Sequence, residues 1–184
     1  MIVAFSTSSP VASVALIVDG AVIASESKLA GYAAAETCLE LLSSLLASSG
    51  RNLGEAIHFA ADLGPGSFIG VRVGVTLAKT LAFNQGVRCF GAPAFDLIGD
   101  GTTFLPSRKG QFFLSADGAV SLVDSIPKGA IGYGLDGQTF IYPSACRFAE
   151  ILPRLVDQSA ESLVPHYILE PAISTPKKPY ASLP

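Results

Sequence analysis

Charge is scarce in this chain. Only 15% of its 184 residues are Asp, Glu, Lys or Arg, against about 25% in an ordinary soluble domain. Its 12 basic residues gather into nothing larger than the pairs Arg108-Lys109 and Lys177-Lys178, and the formal net charge is −3. A protein that grips nucleic acid unaided carries a basic stripe, and none is present. Cysteine is equally thin. Cys38, Cys89 and Cys146 are odd in number and far apart, which excludes a disulfide framework and fits no zinc spacing, so they read as buried reduced thiols. No run of about 18 apolar residues exists to span a membrane. The opening MIVAFSTSSP has no basic stretch and does not read as a signal peptide. The expectation is a soluble, cytoplasmic protein.

Catalytic residue types are also few. The two histidines, His58 and His166, sit in no HExxH or HxxxH pattern, so a zinc hydrolase lacks ligands. His58, on an apolar strand, reads as a half-buried histidine. No GxSxG elbow is present, and Ser6, Ser8, Ser9 and Ser67 have no evident histidine base.

What the chain does have is apolar surface. Hydrophobic residues make up 49% and mean hydropathy is +0.48. That is ample to offset the entropy of folding, which excludes disorder. It also leaves surface that water alone does not satisfy, which points to a partner.

Residues 2–6 and 11–18 read as strands, and Asp19-Gly20 is a hairpin turn leading to a third strand over 21–25. The period then changes. Ala35, Cys38, Leu39, Leu42, Leu45 and Leu46 form one helical stripe within 32–49, and Gly50 ends it. Ala34, Leu41 and Ala47 lie off that stripe, more apolar surface than one buried face needs. A strand over 57–62, a helix over 69–84 and a strand over 87–90 complete a β-β-β-α-β-α-β half. The second half repeats the opening more weakly. Strands are expected over 102–105, 111–115, 119–123 and 129–134, with a helix over 144–157. The end of the chain, with Pro165, Pro171, Pro176, Pro179 and Pro184, reads as extended or disordered. Two halves of similar order suggest a duplication with the second lobe cut short: 1–95, 96–173 and a tail of 174–184.

The segment Gly64-Pro65-Gly66-Ser67-Phe68-Ile69-Gly70 joins a strand to a helix. It could cradle an anion, yet it fits neither GxxxxGK[ST] nor GxGxxG. The plainer reading is a tight turn with Ser67 capping the helix. Within that helix Gly70, Gly74, Ala78 and Ala82 recur every four residues, a ridge of very small side chains. Two helical glycines cost about 2 kcal/mol relative to alanine, and close approach of another backbone offsets such a loss. That backbone is either the chain's own or a second protein's.

A doubled β-β-β-α-β-α-β lobe is the plan of the actin-like ATPases and sugar kinases. Those folds place a carboxylate in the first strand-turn. Here that turn is Phe5-Ser6-Thr7-Ser8-Ser9, without an anchor for magnesium-assisted phosphoryl transfer.

The opening MIVAFSTSSPVASVALIVDGAVIA, the segment LGPGSFIGVRVGVTLAKTLAF and the later SRKGQFF, GYG and YPSA resemble the TsaB family, also called YeaZ. The resemblance is strongest over residues 1–95 and thinner after 120. It implies an α/β, actin-like (ASKHA, ribonuclease H-like) fold. It implies an accessory subunit without cofactor or metal in the machinery that makes threonylcarbamoyl-adenosine on transfer RNA. The implied partners are TsaD, which carries metal and nucleotide, TsaE, which docks on the pair, and a second copy of the chain. The family's pairing surface maps to the helices of 32–49 and 69–84. The residues expected at that surface are Gly70, Gly74 and Ala78, with Leu41 and Leu45 opposite. The alternative is a degenerate actin-like ATPase or a peptidase-like enzyme. The chain departs from the family pattern at Ser6, where an acid is usual, at Pro106-Ser107 before Arg108, and at Ile69, where threonine is usual.

Overall fold

In the computed structural model the described residues are 1–168, except Tyr32 and Lys109. The expected tail of 174–184 lies outside them. Strands β1 (Ile2–Ser6), β2 (Val11–Val18) and β3 (Ala21–Leu29) form an antiparallel meander, and β4 (His58–Asp62) and β5 (Arg88–Ala92) add parallel strands beyond β1. The sheet order is β3-β2-β1-β4-β5. A second sheet holds β6 (Thr103–Pro106), β7 (Phe112–Ala116), β8 (Ala119–Val123) and β9 (Ile131–Gly132), in the order β8-β7-β6-β9. Both sheets thus run meander first, then a parallel strand beside the first strand of the meander. The turns match as well, since Asp19 and Asp117 both have φ 51° ahead of a left-handed glycine, the backbone that type I′ hairpins require.

Side chains of the first sheet alternate strictly between two cores, as the period of two demands. Val3, Phe5, Val14, Leu16, Phe59 and Ala61 face helices α1 (Ala34–Ser49) and α2 (Phe68–Gln85). Ala4, Ala15, Ile17, Ala60 and Ala92 face the other way. Both long helices end on a left-handed glycine, Gly50 and Gly86, which caps the last carbonyls. The buried face of α1 is Ala34, Thr37, Cys38, Leu41, Leu42 and Leu45. It is rotated from the expected stripe: Leu41 turns inward while Ala35 and Leu39 turn out. A short helix α3 (Ala94–Ile98), not expected from sequence, buries Ala94, Phe95, Leu97 and Ile98 between the lobes.

The second lobe departs most from expectation. The expected strand over 129–134 is two residues long, because Gly129 and Gly134 flank it at φ 89°, a conformation no strand residue holds. The expected helix over 144–157 is three short pieces: a 3-10 turn at Ala145–Arg147, α4 (Phe148–Ile151) and a 3-10 turn at Leu152–Arg154. Pro153 supplies no N–H to an α-helical ladder there. These pieces belong to the first lobe, not the second. Ala145, Phe148 and Ile151 cover the far face of the first sheet. Farther on, Gln158 pairs with Cys89, and Leu163 is fully buried in the core under α1 and α2. The chain therefore crosses back, and the expected 96–173 unit is interrupted at about residue 143. The physical reason is that the first sheet has no helices of its own on this face.

Candidate functional site

The strand ends β1 and β4 meet the glycine loop at one point. Ser67 caps α2, its hydroxyl accepting from the Gly70 N–H at 3.1 Å, and its own N–H donates to the Ser8 carbonyl at 2.7 Å. Thr7 Oγ1 donates to the Gly70 carbonyl at 2.7 Å. A Cβ on Gly66 would overlap the Ser8 carbonyl, one on Gly70 would overlap the Thr7 carbonyl, and one on Gly74 would stand 2.5 Å from Thr7 Oγ1. The close backbone approach that the helical glycines require is therefore made inside this chain, by the turn after β1.

The same turn is held from below by Asp62, which is wholly buried. Ser6 Oγ donates to Asp62 Oδ2 at 2.8 Å, Ser8 Oγ donates to the same oxygen at 2.5 Å, and the Gly64 N–H donates to Oδ1 at 2.8 Å. Burial pushes the Asp62 carboxyl above the usual carboxylate range, against the pull of the hydrogen bonds from Ser8, Gly64 and Ser6. Sequence reasoning missed this residue. Its signal was an acid at the end of a strand, two positions before Gly64. The serines at 6 and 8, found without a histidine base, are donors to this carboxylate.

Above this knot runs a cleft between the lobes. One part, about 460 Å³, lies among Pro65, Phe68, Ser107, Arg108, Phe113 and His166. A neighbouring part lies among Ser8, Ser67, Ser107 and Tyr133. Among the described residues, no three His, Cys, Asp or Glu side chains are grouped to hold a metal ion. At the rim Arg72 stacks 3.8 Å from the centre of the Phe68 ring, and its Nε donates to the Tyr167 hydroxyl at 3.0 Å. His58 is half-buried, stacked on Phe90 and 3.5 Å from Asp157.

The five residues expected at a partner surface are all buried in the chain's own core. Leu41, Leu45 and Ala78 are packed in it, and Gly70 and Gly74 are covered by Thr7. The structure brings them together under the first lobe but turns them inward. What α1 and α2 show to the outside is larger. On α1, Glu40 pairs with Lys28 and Ser44 donates to Glu26, both on β3, so the flank bearing Leu39 and Leu46 faces α2. On α2, Ile69, Val73 and Leu77 descend at four-residue spacing. Ile69 is 62% exposed and Leu39 is 49% exposed, while Leu46, Val73, Leu77 and Leu81 are half-buried. The result is an apolar seam along the helix pair. The small residues that sequence periodicity marked are where α2 meets its own sheet and the turn after β1 most closely.

Two sheets of one strand order, the first carrying two long helices, and a cleft where the strand-turn meets the glycine loop define an actin-like α/β fold. The fold comparison agrees. An uncharacterized protein described as similar to peptidase YEAZ from Pseudomonas aeruginosa superposes with a TM-score of 0.73 at 18% identity, over 91% of this chain and 99% of that one. YeaZ from Pseudomonas aeruginosa superposes with a TM-score of 0.67 at 20% identity, over the same shares. The family model TsaD, described as tRNA N6-adenosine threonylcarbamoyltransferase, matches residues 26–98, the stretch that holds α1 and α2. No curated protein matches the sequence. These likenesses show a shared fold with the two Pseudomonas proteins, and the family model matches less than half of the chain. No helix among the described residues is long and apolar enough to cross a membrane.

Proposed function

We propose that this chain serves tRNA modification as a non-catalytic partner subunit. It binds TsaD and supports threonylcarbamoyl transfer to the adenosine next to the anticodon, and the resulting pair receives TsaE. The observation that carries this reading is the exposed apolar seam of Ile69 and Leu39 on α1 and α2, within the segment matched by the TsaD family model. Exposed apolar strips rimmed by polar residues are what protein interfaces are made from. The seam replaces the expected contact set of Leu41, Leu45, Gly70, Gly74 and Ala78, which shape the helices from behind.

An ATPase or peptidase-like reading needs a carboxylate or base facing the cleft. Asp62, the acid beneath the cleft floor, is engaged by Ser6, Ser8 and Gly64, and that favours the accessory role. Co-expression with TsaD followed by gel filtration tests it. The expected result is one shared peak at micromolar concentration, and two separate peaks would overturn the reading. Calorimetry with ATP and magnesium tests the enzyme alternative.

A further inference from the structure

The turn after β6 brings a cation to the larger part of the cleft. Two backbone hydrogen bonds close that turn: the Ser107 N–H donates to the Gln111 carbonyl at 2.9 Å, and the Gln111 N–H donates to the Arg108 carbonyl at 3.1 Å. The Gln111 side chain is pinned in turn, donating to Asp124 Oδ1 at 3.0 Å. Arg108 is exposed and lines the cavity of about 460 Å³. Among the described residues it forms no ion pair, and none of those lining the cavity is an acid. Ser107 lines the same cavity, and its Oγ is buried without a hydrogen-bond partner among the described residues. A buried hydroxyl in that state is costly, and a ligand oxygen relieves the cost. The other walls are apolar. Val71 and Phe113 are buried, and Phe68 and Tyr167 stack with 5.3 Å between ring centres. Arg72, on the Phe68 ring and bonded to the Tyr167 hydroxyl, holds these two rings in place.

We propose that this cavity binds a small carboxylic acid with an aromatic body, its carboxylate on Arg108 and Ser107 and its ring against Phe68 and Phe113. The chemistry of the walls selects that ligand. A guanidinium offers parallel N–H donors that match the two oxygens of a carboxylate. It also neutralises a single negative charge. A phosphate monoester carries roughly two, and no second lysine or arginine lines the cavity among the described residues. An uncharged ligand would cover the guanidinium and give it nothing in exchange for water. Aromatic bodies bring a large contact area and pack at an angle on other rings, and the volume lies in the range that encloses small ligands. The site is made by the loop before α2, the turn after β6 and residues 166–168. It does not include Leu39 or Ile69 of the seam, so it stands or falls independently of the TsaD reading.

The test is a titration of the full chain followed by nuclear magnetic resonance at the amides of Val71, Ser107 and Phe113. The probes are 3-phenylpropanoate, 3-phenylpropanol, acetate and phenyl phosphate. 3-Phenylpropanoate is expected to shift these amides and saturate, with a dissociation constant on the order of 100 µM. The alcohol keeps the ring without the charge, and acetate keeps the charge without the ring. Each is expected to bind more weakly by about tenfold or more. Arg108→Ala, a change at an exposed position, is expected to keep the melting temperature and weaken 3-phenylpropanoate by about tenfold or more. Added salt is expected to weaken it too. The absence of a saturable shift at millimolar 3-phenylpropanoate, equal binding of the alcohol, or undiminished binding by Arg108→Ala would each overturn the proposal. So would tighter binding of phenyl phosphate, since that marks a phosphate site. None of these results alters co-elution with TsaD, which reports on the seam alone.

Discussion

Thr7 lies directly on Gly70. The Thr7 hydroxyl donates to the Gly70 carbonyl at 2.7 Å, and the Thr7 carbonyl occupies the place where a Gly70 side chain would begin. The contact ties the exit of β1 to the first turn of α2, and it explains a glycine that helix propensity alone disfavours.

The sign of one substitution follows. On propensity, Gly70→Ala should stabilise the helix by about 1 kcal/mol. On the observed packing, the new methyl meets the Thr7 carbonyl oxygen, and the residues on either side of Thr7 are held in place: Ser6 and Ser8 donate to Asp62, and the Ser8 carbonyl accepts from the Ser67 N–H. Overpacking of this kind costs about 1–3 kcal/mol, more where backbone must move. Urea denaturation of Gly70→Ala is expected to show a net loss of up to about 2 kcal/mol instead of the gain that propensity predicts.

Asp62 gives a pH dependence with a definite direction. Its carboxyl titrates higher in the folded chain than in the unfolded one, chiefly through burial. Between the two values the folded state holds the extra proton, so stability falls as pH rises through that window. The contribution is fully present below the unfolded value and lost above the folded one. Asp62→Asn removes this dependence. The stability of the wild type relative to Asp62→Asn is expected to decline from pH 4 to pH 8 when both are unfolded in urea. A constant difference would show that the carboxyl does not titrate differently on folding.

The legible part of this molecule was the part with strict periodicity. Strand β2, the 119–123 strand and the ends of both long helices fall where alternation, Asp-Gly turns and Gly50 placed them. Three features escaped. Segment 145–168 packs on the first lobe, a choice fixed by which sheet face lacks cover rather than by any local pattern. The short helix α3 lies below the length at which periodicity speaks. Asp62 was passed over because its partners, Ser6 and Ser8, are more than fifty residues away in sequence. The ridge of small residues on α2 was legible, but the spacing of small residues does not say whether the backbone they admit is foreign or the chain's own, and here it is the turn after β1.

Thiol reactivity reports the same packing. Burial pushes the Cys38 thiol up to about 12 and the Cys89 thiol up to about 11, while Cys146 is half-buried. The thiolate is the reactive form. At pH 8 an excess of alkylating reagent is expected to modify Cys146 alone in the folded chain, and all three thiols once it is unfolded. Mass spectrometry of peptides assigns the sites. Labelling of Cys38 at the rate of Cys146 would mean that α1 detaches from the sheet on the timescale of the experiment.

The last prediction separates shape from contact at the helix pair. Gly74 faces Thr7 inside the chain, while Ile69 points away from it. Gly74→Leu therefore attacks the fold: its side chain starts 2.5 Å from Thr7 Oγ1, and it should lower the melting temperature by several degrees whatever the partner does. Ile69→Glu attacks only the surface. An exposed position tolerates the change to within about 0.5 kcal/mol, yet a charge buried against an apolar partner without a counter-ion costs far more. Ile69→Glu is expected to keep the wild-type melting curve and lose co-elution with TsaD. If it co-elutes at wild-type affinity, the pairing surface lies elsewhere. If Gly74→Leu keeps both its melting curve and its far-ultraviolet circular dichroism yet fails to pair, the ridge contacts the partner after all.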